Sequence, residues 1–108
     1  MINMHSKQIE FYESRPTNAE KQQMFKDLTT QMAETYAAKN FDYGDSFSET
    51  FQEFGFVSAA SRMLDKMNRI KSYAKMCPEA MKVKGESIED TLMDLANYAI
   101  MSVIELRQ

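Results

Sequence analysis

The segment 86–106 constrains the fold more than any other part of the chain. At the 100° per residue of a helix, Ile88, Leu92, Leu95, Ala99 and Val103 cover one side, and Met93, Ala96, Ile100 and Ile104 cover much of another. An ordinary surface helix needs one apolar stripe, so this one is expected to be central to a bundle or wedged in an interface between copies. Ser87 is its expected N-cap. Into the gap between the apolar residues fall Asp90, Asp94 and Asn97. Two carboxylates one turn apart beside so much apolar surface repel each other and resist desolvation, so a cation or basic side chain is expected against them.

The rest of the chain also reads as helix. Arg15, Pro16, Thr17 and Asn18 mark a turn, and Thr17 or Asn18 is expected to cap a helix running to about residue 39. Met24, Leu28, Met32, Tyr36 and Ala37 lie on its apolar side. Residues 40–46 are rich in turn formers and predict a loop. Phe47, Phe51, Phe54 and Phe56 then suggest a short helix with its aromatic side inward, ended near Gly55. From 57 to about 76, Ala59, Ala60, Met63, Leu64, Met67, Ile70 and Ala74 form one broad arc, and Cys77 and Pro78 stop the helix. Residues 77–85 are a connection closed by Gly85. The expected fold is all-α: a bundle of three long helices plus one or two short ones, oligomeric as a homodimer or homotetramer. Residues 1–17, with a small patch of Ile9, Phe11 and Tyr12, form a lead-in to a single domain over 18–108.

Composition removes several classes. A chain of 108 residues, 44% hydrophobic and 27% charged, supports one globular domain. Three glycines and two prolines are too few for a sandwich or barrel of many short strands. Thirteen basic against 16 acidic residues leave a net charge of −3, which argues against general nucleic-acid binding. The single Cys77 cannot form an internal disulfide, and with the lone His5 it offers neither a zinc site nor an activated thiol. No signal peptide or run of ~20 apolar residues is present, so the expected location is cytoplasmic, with no membrane partner.

A second polar ridge complements Asp90 and Asp94. Arg62, Asp65, Lys66 and Arg69 follow one another at helical spacing, opposite the apolar arc of their helix. Asp65 is a candidate partner of Asp90, Asp94 and the preceding Glu86 around a hard divalent cation. Arg62, Lys66 and Arg69 are candidates for phosphate oxygens. The bland alternative is a solvated face of intrahelical ion pairs, each contributing ~0.3–0.5 kcal/mol. The carboxylate pair on the last helix tips the balance towards a joint site. Lys39, Asn40, Tyr43, Asp45 and Ser46 add an aromatic ring and hydrogen-bonding groups beside Gly44, although the segment is not a Walker phosphate loop.

Three stretches together resemble a known family. They are Lys39-Asn40-x-Asp42-Tyr43-Gly44-Asp45-Ser46-Phe47, then Arg62-Met63-x-Asp65-Lys66-x-x-Arg69, then Glu86-Ser87-Ile88-Glu89-Asp90-Thr91-Leu92-x-Asp94-Leu95-Ala96-Asn97-Tyr98-Ala99. Over residues 25 to 106 the chain resembles the nucleotide modification associated domain family of phages and bacteria. That resemblance implies a fold similar to MazG-like and dimeric dUTPase proteins, whose members hydrolyse nucleoside triphosphates to monophosphates with Mg²⁺ held by helix carboxylates. It makes Asp65, Asp90 and Asp94 the expected catalytic groups, with Glu86 joining them as metal ligand. Lys39, Asn40, Tyr43, Asp45, Ser46, Arg62, Lys66, Arg69, Asn97 and Tyr98 are the expected nucleotide contacts. The Glu-Glu-x-x-Glu run of MazG-like enzymes is missing, and Asp65 is the one acidic residue on its ridge. This motivates an alternative: a non-catalytic protein that sequesters a nucleotide, such as a signalling nucleotide in phage counter-defence. A purely structural helical module is the third reading.

Overall fold

The computed structural model describes residues 14–43, 45–76 and 87–108. Four helices occupy them: α1 (Asn18–Tyr43), α2 (Ser46–Phe54), α3 (Phe56–Lys75) and α4 (Ile88–Leu106). The fold is all-α, with three long helices and one short one, and no strand is present among the described residues. The lead-in up to residue 13, the connection 77–85, Gly44 and Glu86, and with them His5 and Cys77, lie outside the described residues.

The chain divides between Thr35 and Tyr36 into two compact units. In the first, α1 starts at a reciprocal cap. The Glu20 amide donates to the Thr17 hydroxyl at 3.1 Å, and the Thr17 amide donates to the Glu20 carboxylate at 3.0 Å. Hydrogen bonding from Thr17 holds the Glu20 carboxyl below its ordinary pKa, its backbone amide contributing most and its side chain less. Of the apolar side expected here, Met32 is buried, while Met24 and Leu28 are exposed. At its other end α1 runs through 40–43, which the turn formers predicted as loop. Asn40 and Asp42 each disfavour a helix by only a few tenths of a kcal/mol relative to the best formers, too little to stop one already propagating.

In the second unit, α2 and α3 are joined by one residue. Gly55 has φ 78° and ψ −168°, a conformation essentially confined to glycine. Its amide donates to the Phe51 carbonyl at 2.7 Å, and its own carbonyl accepts from the amide and hydroxyl of Ser58. The turn closes both helix ends without a loop. Ser87 caps α4 as expected, accepting from the Asp90 amide at 3.0 Å.

α3 and α4 form the largest interface and run antiparallel, with Arg62 opposite Tyr98 and Lys66 opposite Asp94. Ala59, Met63, Lys66, Ile70 and Tyr73 make the packed stripe of α3, and Thr91, Leu95, Tyr98 and Ser102 that of α4. Ala59 and Thr91 are wholly buried. Small side chains at these positions let the helices approach closely. Ser102 is buried with its hydroxyl donating to the Tyr98 carbonyl at 2.7 Å, so its polar group is satisfied within its own helix.

Two packing expectations need correction. Leu64, Met67 and Ala74 were expected within the covered arc of α3 but are exposed, because the contact with α4 covers only the narrower stripe through Met63 and Ile70. The aromatic side of α2 is also only partly inward: Phe47 is buried and Phe51 half-buried, while Phe54 and Phe56 are exposed. Phe51 instead meets the edge of Phe56 across the Gly55 turn, with ring centroids 6.3 Å apart.

Candidate functional site

One polar face of the α3–α4 pair gathers most of the expected residues. At its centre the Lys66 ammonium donates to the Asp94 carboxylate at 2.9 Å, their side chains 12% and 29% exposed. This is the positive partner that the carboxylates of α4 called for. Its origin differs from the expected ridge, since Lys66 belongs to the packed stripe of α3. It stands seven residues after Ala59 and four before Ile70, so the helix turns it inward. Its methylenes lie along apolar surface while the ammonium reaches Asp94. Asp90, expected to be as buried as Asp94, is exposed one turn earlier.

Arg62, Asp65 and Arg69 occupy the outer edge of the same face. The Arg62 guanidinium lies 5.8 Å from the centre of the Tyr98 ring and donates to its hydroxyl at 3.4 Å. Asp65 pairs with Arg69 at 3.8 Å, both largely exposed. The register carries Arg69 to the level of Asp90 and Thr91 on α4, one turn beyond the Lys66–Asp94 pair. Cations and carboxylates therefore alternate along the face.

The start of α2 adjoins this face through Tyr98. Phe47 stacks on that ring at 6.0 Å and 22°, on a ring that Arg62 also approaches. Ser48 donates to Glu105 at 2.7 Å and fixes α2 to the last turn of α4. Asp45 and Ser46 are exposed at the beginning of α2, while Lys39 is exposed and Asn40 half-buried near the end of α1. Asn40 donates to the Tyr36 hydroxyl at 3.5 Å. Asn97 is half-buried on α4, and Tyr43 is helical.

Ser48 and Glu105 belong to none of the motifs that the sequence offers. A signal existed, because a carboxylate in the last turn of a helix opposes the helix dipole and so calls for a compensating partner. The aromatic spacing makes Phe47 a core residue, but its stacking on Tyr98 arises only in the tertiary fold.

Among the described residues no three His, Cys, Asp or Glu side chains converge on a point that could hold a metal ion. The donors still match a hard cation of another kind. Asp90 and Asp94 place carboxylates one turn apart on α4, with Asp94 already paired to Lys66, and Mg²⁺ is commonly held by one or two carboxylates with waters completing its shell. Two such carboxylates could hold a largely hydrated Mg²⁺ but not enclose one. No helix of the described residues is long and apolar enough to cross a membrane.

No curated protein and no solved structure matches the chain. A family model does, across residues 39–106, more than half the chain and the stretch that holds α2, α3, α4 and the polar face between them. By that match the chain belongs to the family described as Nucleotide modification associated domain 1.

Proposed function

We propose that the polar face of α3 and α4 binds the phosphates of a nucleotide and that the protein is a Mg²⁺-dependent nucleoside triphosphate pyrophosphohydrolase of the MazG-like kind. The observation that carries this reading is the Lys66–Asp94 pair flanked one turn either way by Arg62 and Arg69. The arginines contact phosphate oxygens through their planar, forked donors, and Lys66 holds the Asp94 carboxylate in position. Lys39, Asn40, Tyr43, Asp45 and Ser46, with Asn97 or Tyr98, contact the nucleoside. Water adds at the α-phosphorus, the bond to the bridging oxygen of pyrophosphate breaks, and the monophosphate is released without a covalent intermediate. Asp90 and Asp94, with Asp65 and Glu86, would hold Mg²⁺, which when bound would neutralise charge on the phosphate oxygens. A cytoplasmic site of action, in a bacterial host if the chain is phage-encoded, suits a nucleotide substrate.

A second reading has its own observation. Asp94 is already engaged by Lys66, and no cluster of three metal-ligand side chains occurs among the described residues. A face that keeps Arg62, Lys66 and Arg69 but does not assemble a metal cage would bind a nucleotide without turning it over. Incubation with canonical and modified deoxynucleoside triphosphates plus Mg²⁺, scored for monophosphate, separates the two. Turnover that is lost in Asp94→Asn supports the enzyme. Calorimetric binding without product, independent of Mg²⁺, supports sequestration, and no binding in either condition refutes both and leaves a structural module.

A further inference from the structure

We propose that the apolar outer face of α3 and α4, on the side away from the polar face, is a self-association surface on which a second copy of this chain packs with its α4 antiparallel. Val57, Leu64 and Met67 on α3 and Leu92, Ile100, Val103, Ile104 and Leu106 on α4 are 38% to 68% exposed. On each helix the stripe is centred about a third of a turn past the α3–α4 contact in the same rotational sense. Two right-handed helices running antiparallel present such stripes on one common side, so the residues form a single patch. Ala60, Ala74, Ala96 and Ala99 fill the intervals, and Lys71 interrupts the patch near the end of α3.

The area suits a second copy. Eight large side chains about half exposed, each carrying roughly 100 Å² of apolar surface, offer on the order of 400 Å². That lies within the range of the largest apolar patch on a typical monomer. It is close to the apolar share, somewhat over half, of the ~800 Å² that each partner contributes to a standard interface.

The charges on α4 select the arrangement. Asp90, Asp94 and Glu105 all lie towards α3 or the polar face, and the outer face of α4 carries charge only at its ends, Glu89 and Arg107, both exposed. These are separated by five helical turns and so share one angular position. A two-fold axis crossing α4 midway between them brings Glu89 of each copy to Arg107 of the other, Ala96 to Ile100 and Leu92 to Ile104. A parallel pairing would set Glu89 against Glu89. The antiparallel one matches charge with charge and a small residue with a large one, as a self-complementary interface requires.

Sedimentation equilibrium of the full chain, with circular dichroism for helicity, tests the proposal. The expected result is a dimer at micromolar concentration and a monomer of unchanged helicity for Val103→Glu. Glu89→Arg and Arg107→Glu each act twice across the two-fold axis, at about tenfold per contact, and should each weaken the dimer about 100-fold. The combined E89R/R107E chain should return to within about threefold of the parent. A monomeric parent chain, or a dimer that survives Val103→Glu with its affinity unchanged, overturns the proposal. Failure of the combined exchange to restore affinity overturns the antiparallel pairing. The two end substitutions lie outside the packed stripes, so the charge series decides the matter even if Val103→Glu unfolds.

Discussion

Replacing Lys66 with methionine tests whether the Lys66–Asp94 pair holds α3 against α4. At 2.9 Å the Coulomb attraction lies between about 1.4 kcal/mol in bulk water and about 6 kcal/mol at an effective dielectric constant of 20. With the side chains 12% and 29% exposed, the pair is largely removed from water, and desolvation offsets much of that attraction. We expect a net coupling of about 1.5 kcal/mol. Lys66→Met should cost about 2–3 kcal/mol, because the half-buried Asp94 carboxylate is left without its ammonium. Asp94→Asn should cost a similar amount, and the double variant less than the sum by the coupling. Urea unfolding at one fixed protein concentration measures all three, and Lys66→Met should lower Tm by on the order of 10 °C. The coupling should change little in high salt, since its members are mostly shielded from solvent, whereas the exposed Asp65–Arg69 pair should yield ~0.3 kcal/mol and fade. Single costs that add to within ~0.5 kcal/mol would show that the two groups act independently and would refute this account.

Gly55→Ala should destabilise the chain by about 1–3 kcal/mol, measured by the same unfolding assay, through backbone strain alone. A Cβ there meets nothing within 4 Å, so a loss well above this range would mean that the turn resists distortion for another reason. At the start of α1 the depressed pKa of Glu20 fixes the sign of a pH effect. The ionised carboxylate supports the cap above the unfolded pKa, and that support disappears as pH falls through the lower, folded value. Amide exchange at residue 20 should therefore accelerate, relative to its intrinsic rate, on acidification through the carboxylate range, and Glu20→Gln should abolish this pH dependence. An unchanged profile in Glu20→Gln would assign the effect elsewhere.

Helix periodicity revealed most of the fold, because strong local signals coincide with the observed ends. Ser87 caps α4, Gly55 separates α2 from α3, and the apolar spacing fills the long helices. Periodicity does not say how wide a stripe a neighbour will cover. That is why Leu64 and Met67 were placed inside when only the line through Ala59, Met63 and Ile70 is covered. It also misassigns long amphipathic side chains. Lys66 scores as polar, yet its methylenes suit the packed stripe once a carboxylate waits at the far end. Asp94 announced its need for a cation through its apolar neighbours, whereas the matching of Ser48 with Glu105 depends on how α2 folds back at Gly55, a long-range geometry that neither residue's surroundings in the chain disclose.

Four consecutive residues of α3 face four different tasks: Met63 towards α4, Leu64 on the apolar exterior, Asp65 on the polar exterior, Lys66 back towards α4 with its ammonium on Asp94. Each step turns the helix by about 100°. Inserting or deleting one residue anywhere upstream in α3 would therefore send every following side chain to its neighbour's task, putting an aspartate or a methionine where lysine meets Asp94. Such a helix accepts exchanges at single positions far more readily than any change in its length. Length variation among homologous chains should accordingly fall outside Phe56–Lys75, after its end rather than at the Gly55 turn.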